Sequence, residues 1–378
     1  MSAQSCHLKP YAPTERVDFA RSIRRTARLT LLSVAGSAAI AGTATAETTK
    51  VAFMMPNAQV SRYEEQDRPN FERKVKELCP DCEVIYSNAL GDATKQQQQF
   101  EAAISNGAKV IVMSAVDTVA AQNLVNVAKK ANVVFVAYGR SISDAPVDYF
   151  LSGDDATAGK LQGESLLEGL AQVGAKNATV VVINGSPQDS VVGHLKSGFQ
   201  AAVKGSGIKV GREYDTPDWS PEGAQKEMDQ AITALGRDGF TGVYCSNDGL
   251  ASGALAAMKA AGIDPTKRPI TGMDAETAAL QRILAGEQYM TVYWPLKRVA
   301  EAAATIAMSV AKGQKIPDGV ITGTVNNGAR DIPTFFVNPL AVTKANMKAT
   351  VIADGFTKLE NLCTADFASY CKAAGLTN

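Results

Sequence analysis

From residue 50 onward, short runs of β-branched and aliphatic residues alternate with stretches whose apolar positions recur every three to four residues. A short apolar run bounded by polar residues reads as a buried strand, and the three-to-four spacing reads as an amphipathic helix. Strands are predicted over 51–55, 83–87, 110–114, 133–137, 149–152, 179–184, 209–215, 242–245, 270–272 and 289–293. Helical spacing fills most gaps between them, at 94–106, 119–130, 156–170, 222–235 and 249–260, with polar caps such as Asp92, Asp117 and Asp154 at helix starts. The glutamine run 96–99 falls on a helix and reads as a solvated face. Alternating strands and helices predict parallel sheets covered on both faces. The pattern is written twice, the first block ending near Ser152 and the second beginning at Asp154. No flexible linker separates the blocks, so two packed α/β lobes joined by short crossovers imply a hinge. The cleft at the carboxyl ends of the strands is then the expected ligand site.

The first 46 residues break this pattern. Arg21, Arg24, Arg25 and Arg28 form a positive segment, 29–43 is uncharged and largely apolar, and Ala44-Thr45-Ala46 supplies a small-x-small cleavage signature before Glu47. These are the parts of a secretory leader, and the apolar run falls short of the roughly 20 residues a spanning helix needs. The residues after Arg24-Arg25 match a twin-arginine signal poorly, and the export route stays open. The leader holds six basic and two acidic residues, so of the 38 basic and 38 acidic residues 32 and 36 remain, a net charge of −4. Such a chain lacks the basic stripe that nucleic-acid binding needs. Without the leader 332 of 378 residues remain, enough for two domains.

Cys6 leaves with the leader. In an oxidising compartment the close pairs Cys79/Cys82 and Cys363/Cys371 read as local disulfides and Cys245 as a buried strand thiol. Cys79-Pro80-Asp81-Cys82 follows a helix and precedes a strand, the wrong context for a redox motif, and it lacks a second ligand pair for zinc.

Catalytic machinery is scarce. His194 is the single histidine beyond the leader and reads as a helix-surface or packing residue. There is no GxGxxG after a strand, no P-loop, no GxSxG and no HExxH, so no cofactor, metal or catalytic residue is expected. Polar and aromatic residues instead gather where strands end: Arg62, Tyr63, Arg140, Ser186, Asp189, Trp219, Asn247, Asp248, Asp274 and Trp294. That mixture suits a sugar, because carboxylates accept from hydroxyls, guanidinium and amide groups donate to oxygens, and an indole covers an apolar C–H face. Each has a structural alternative: Asp248 and Asp274 as helix N-caps, Arg62 and Arg140 as salt-bridging residues, the tryptophans as core.

Several motifs resemble one family in order: Arg62-Tyr63, Ala137-Tyr138-Gly139-Arg140, Gly185-Ser186-Pro187-Gln188-Asp189, Trp219-Ser220-Pro221-Glu222, Ser246-Asn247-Asp248, Gly272-Met273-Asp274-Ala275 and Thr291-Val292-Tyr293, with Val325-Asn326-Asn327-Gly328 and 351–356 in the tail. Over nearly the whole chain beyond the leader, it resembles the periplasmic sugar-binding proteins of ABC importers, the xylose-binding members most. The resemblance implies the type I periplasmic binding protein fold, an α/β class of two Rossmann-like doubly wound lobes with a three-strand hinge. Crossovers are expected near Gly153, Trp294 and Gly323, which gives 47–153 plus 294–322 as the N-terminal lobe and 154–293 plus 323–378 as the C-terminal lobe. It implies that Arg62, Arg140, Asp189, Asn247 and Asp274 hydrogen-bond the sugar and that Tyr63 and Trp219 pack on its faces, with Trp294 as an added aromatic wall. The chain departs from the pattern at Gly139, Val191 and Trp294, where the family has Asp, Asn and Lys. These changes predict a ligand with fewer hydroxyls or a larger apolar face than xylose, such as a deoxy sugar, a short or branched pentose, or a polyol. The expected partners are that ligand and an inner-membrane permease. The expected protein is a monomeric periplasmic receptor, with a chemoreceptor as a further partner it is compatible with. Two rival readings are an exported sugar-active enzyme using Asp189 and Asp274 as an acid–base pair, and a sensory module.

Overall fold

The computed structural model describes residues 48–376, so the leader read over 1–46 lies outside the described residues. Five strands run parallel in the order β2, β1, β3, β4, β5: β1 (Lys50–Met55), β2 (Glu83–Asn88), β3 (Ala108–Met113), β4 (Val134–Tyr138) and β5 (Tyr149–Gly153). Near-continuous burial of β1, β3, β4 and β5 explains their apolar sequences, since a parallel sheet is covered on both faces, while β2 lies half-buried at the edge. The covering helices are α1 (Arg68–Leu78), α2 (Ala93–Ser105) and α3 (Ala121–Lys130). Phe53 of β1 stacks on Phe71 of α1 with ring centroids 4.1 Å apart, which pins that helix to the sheet.

The chain then crosses to α4 (Asp155–Gln172), and a second sheet repeats the winding. β6 (Thr179–Asn184), β7 (Lys209–Asp215) and β8 (Gly242–Cys245) lie in the order β7, β6, β8. Single bridges from Val243 to Ile270 and from Met273 to Val292 extend it toward β9 (Thr291–Tyr293). Helices α5 (Ser190–Val203), α6 (Pro221–Leu235), α7 (Asp248–Ala260) and α8 (Thr277–Ala285) belong to this half. A second crossover leads to α9 (Leu296–Ala311), which packs on α1 and β3 of the first half. Both halves place the first strand between the second and third, so each has its switch point at the carboxyl end of its first strand.

The expected return to the second lobe near Gly323 is corrected by the strand pairing. β10 (Gly323–Asn326) and β11 (Asp331–Val337) belong to the first sheet, with β11 parallel to β5 and β10 antiparallel to β11. The third crossover follows Val337, after which β12 (Leu340–Val342) pairs antiparallel with β9. The three crossovers lie side by side. Gly153 pairs with Val337, Tyr293 pairs with Leu340, and the Trp294 ring rests on Gly153. The strand expected at 270–272 is reduced to isolated bridging.

Cys79–Cys82 and Cys363–Cys371 are disulfide-bonded and Cys245 is a buried free thiol. The Cys363–Cys371 bridge staples the tail beneath Tyr293 and Leu280. Among the described residues no helix is long and apolar enough to cross a membrane.

Candidate functional site

Arg62 follows β1 and opens into a π-helical turn, Tyr63–Asp67, that folds Asp67 back beneath it. The Arg62 Nε lies 3.7 Å from Asp67 Oδ2, and the Tyr138 hydroxyl donates to the other oxygen of the fully buried Asp67. Burial works against the Arg62 charge, but Asp67, Tyr63 and Asp274 outweigh it and hold the guanidinium above its ordinary pKa.

At the end of β4 the chain turns through Gly139 at φ +72°, a conformation that favours glycine, and presents Arg140. Arg140 Nη1 donates to the carbonyls of Ala115, at 2.5 Å, and Val116, at 3.4 Å. That loop is held in turn by Gln96, which donates to Ser114 O and accepts from Val116 N. Gln96 is buried, so the expectation of a uniformly solvated glutamine face fails at this position. An amide is the side chain that can satisfy a carbonyl and an N–H of one loop together.

The second half supplies the opposing groups. Asp189 caps α5 by accepting from Val191 N at 3.0 Å, and its other oxygen meets Arg140 Nε at 2.8 Å. Asn247 caps α7 through Oδ1 and donates from Nδ2 to Asp274 Oδ2 at 3.4 Å. Asp274 lies 3.7 Å from Arg62 Nε. The N-cap alternative therefore does not hold for Asp274, which caps no helix. Asp248 sits just inside α7, where it accepts from Gln288, Thr291 and the Glu276 amide. Gln162 ties the strand ends together by donating to the carbonyls of Cys245, Ser246 and Gly272. Trp219 at φ +58° and Asp274 at φ +99° hold backbone conformations that are strained for such residues, a cost that cooperating contacts must offset.

Both tryptophans lie flat on glycines. A Cβ on Gly185 would meet the Trp219 ring at 2.1 Å, and one on Gly153 would meet Trp294 at 1.7 Å. Eight of the ten residues singled out in the sequence, Arg62, Tyr63, Arg140, Asp189, Trp219, Asn247, Asp274 and Trp294, line one pocket of about 600 Å³, its mouth included, whereas Ser186 and Asp248 do not line it. Gly139, Val191 and Trp294, the three departures from the family pattern, line it too. His194 lies exposed on α5, apart from it. Sequence reasoning missed Asp155, which also lines the pocket, and Asp67, which supports Arg62 from below.

Contacts between the halves border the pocket. On one side Thr118 donates to Gln188 O and Ser141 N donates to Ser190 Oγ, and on the other Gln66 donates to Phe356 O. Burial, ahead of all other causes, raises the pKa of Asp67, Asp155, Asp189 and Asp274. Glu276, which lines a smaller neighbouring cleft with Ser61 and Glu65, is raised to about 7 by burial and then by Asp274, with Arg282 opposing. A carboxyl whose pKa is raised in the folded protein binds its proton there more tightly than in the unfolded chain. The contribution of Glu276 to folding stability is therefore lost as pH rises from the ordinary carboxyl value of 4.5 through about 7. Thermal unfolding of the purified protein should show Tm falling across that window, and Glu276→Gln should flatten the slope. An unchanged slope in the variant would remove Glu276 from this account.

Residues 51–315 match the family described as periplasmic binding protein domain. The chain is 34% identical over 321 residues to the D-xylose-binding periplasmic protein of Escherichia coli (strain K12), which spans 84% of this chain and 93% of that protein. It is 29% identical over 287 residues to the multiple sugar-binding periplasmic receptor ChvE of Rhizobium radiobacter, spanning 72% and 81%. Among solved structures it is similar to an ABC transporter solute binding protein from Clostridium phytofermentans with bound β-D-glucose, at a TM-score of 0.74 and 26% identity over 83% of this chain and 100% of that one. Two doubly wound halves, three adjacent crossovers and a pocket between them agree with these likenesses, and the chain belongs to the periplasmic binding protein family.

Proposed function

We propose that this protein is the periplasmic receptor of an ABC importer, taking a monosaccharide or related polyol into the pocket between its lobes and handing it unchanged to a membrane permease. The observation that carries this reading is the pocket's composition. The only two tryptophans of the chain line it together with arginines from one half and carboxylates from the other. Aromatic faces cover the C–H surface of a sugar ring, and paired charged groups donate to and accept from its hydroxyls. Contacts that a guest makes to both halves at once exist only when the lobes face each other, so binding favours closure. The leader read over residues 1–46 supports export, and the relatives named above are periplasmic.

The enzyme reading is disfavoured by the same contacts. Asp189 is held by Arg140 and a helix N-terminus, and Asp274 by Arg62 and Asn247, so each carboxylate is already engaged by partners of the protein. The relatives are sugar-binding proteins. D-xylose itself does not carry over, because Gly139, Val191 and Trp294 present no side-chain oxygen to a guest and leave a more apolar wall. An unmatched buried hydroxyl costs about 1–3 kcal/mol, enough to change which sugar is preferred. Calorimetric titration across pentoses, hexoses, deoxy sugars and polyols should give one-to-one binding, tightest for a guest poorer in hydroxyls than xylose, with the guest recovered chemically unchanged. Tight binding confined to D-xylose would overturn the ligand assignment, and turnover of the guest would overturn the receptor reading.

A further inference from the structure

Two guanidiniums meet four carboxylates around the pocket. Arg140 is committed to Asp189 and to two backbone carbonyls, and Arg62 is shared between Asp67 and Asp274. The fourth carboxylate, Asp155, is the first residue of α4, at the crossover that follows β5. It is half-buried, lines the pocket and enters no hydrogen bond or ion pair among the described residues. The charged groups that act on it are Asp189 and Asp154, of like sign, and Arg62, already shared. No lysine lines the pocket. A second group lacks a well-formed partner: the indole N–H of Trp219, in a side chain only 4% exposed, lies close enough to the Asp189 carboxylate to favour its charge but has no acceptor within hydrogen-bonding geometry.

A guest that fills the pocket displaces the water that still reaches Asp155, and charge buried in that way is stable only when it is paired, as a buried donor requires an acceptor. A neutral guest satisfies the indole but leaves the carboxylates in excess. The protein must then bring in a proton, and burial together with Asp189 pushes Asp155 well up toward doing so. A guest with its own positive charge removes that need. We propose that the preferred guest carries a protonated amine against Asp155 and a hydroxyl or ring oxygen against the Trp219 N–H, which makes it an amino-deoxy sugar or an amino polyol. This rests on the sugar-receptor reading and narrows its ligand class. Charge-assisted hydrogen bonds are shorter and roughly twice as strong as neutral ones, so the amine is discriminated from the hydroxyl it replaces.

The test is a set of matched titrations of the full protein at pH about 6.5, below the ordinary range of an aliphatic amine. Each neutral hexose or polyol is paired with its amino-deoxy counterpart and with the N-acetylated form, which keeps the shape and loses the charge. The amine should bind about tenfold or more tightly than its neutral parent, and the N-acetyl form should lose that advantage. In Asp155→Asn the ratio of amine to parent affinity should fall to near one. Calorimetry in buffers of different ionisation enthalpy should detect proton uptake with the neutral guest and none with the amine, a readout on the unaltered protein that stands even if the variant does not fold. Neutral guests binding as well as amines, or a preference for amines that survives Asp155→Asn, would overturn the inference and leave the receptor reading intact. Failure of every neutral and amino guest to bind would overturn both.

Discussion

Arg140→Met is expected to weaken ligand binding by two to three orders of magnitude or more. The Arg140 guanidinium and the Asp189 carboxylate meet at 2.8 Å with both side chains almost wholly shielded from water. Removing one member of such a pair leaves the other as an uncompensated buried charge, at a cost of about 3–5 kcal/mol. Each 1.4 kcal/mol corresponds to roughly a factor of ten in affinity. In a hinged protein the cost falls on closure, since an open cleft lets water reach Asp189. Arg140 also holds the carbonyls of Ala115 and Val116, so its loss frees the loop that Gln96 supports. Titration calorimetry of the variant with the best guest from the panel measures the effect. Arg140→Met/Asp189→Leu should recover part of the loss, because replacing both partners removes the unpaired charge. A single-variant loss under about tenfold, or a double variant worse than the sum of the two, would contradict the pairing described here.

Gly153→Ala should weaken binding about ten- to hundredfold. The alanine Cβ would lie 1.7 Å from Trp294 Cζ3 and 2.3 Å from Cε3, so the indole has to leave the glycine it rests on. Overpacking of this kind costs about 1–3 kcal/mol. Here the displaced ring is a wall of the pocket and the glycine sits on a crossover, so the strain reaches the guest and the hinge together. The control is Trp294→Ala, which removes the ring. Combined with Gly153→Ala it should bind no worse than Trp294→Ala alone, since there is no longer a ring to displace. Full additivity of the two losses would show that Gly153 acts by another route.

How far the molecule was legible in its sequence follows from burial. Strands β1, β3 to β6 and β8 stand out because a parallel sheet covered on both faces demands continuous apolar runs. Two of the three tail strands are hidden for the opposite reason. β10 is an edge strand with mostly exposed residues, and β12 is three residues long, so neither has a periodic signal. The third crossover was therefore expected near Gly323 and lies after Val337. The pocket was legible because strand ends are where apolar runs break, and the break at each end carries one or two polar or aromatic residues. Asp155 escaped notice as the neighbour of Asp154, whose capping of α4 explains an acidic residue at that place. Gln96 is one of four successive glutamines, and a uniform run gives no sign that this one turns inward. Asp67 reaches Arg62 through a π-helical turn, a geometry with no sequence pattern of its own.

The two tryptophans of the chain provide the most direct measurement, because both line the pocket and no other indole contributes to emission. Intrinsic tryptophan fluorescence titrated with the guest that calorimetry finds tightest should change saturably, with one-to-one stoichiometry and the same Kd, and Trp219→Phe and Trp294→Phe should each retain part of the change. Calorimetric binding that leaves the emission of both tryptophans unaltered would place the guest outside the space between the lobes and contradict the account.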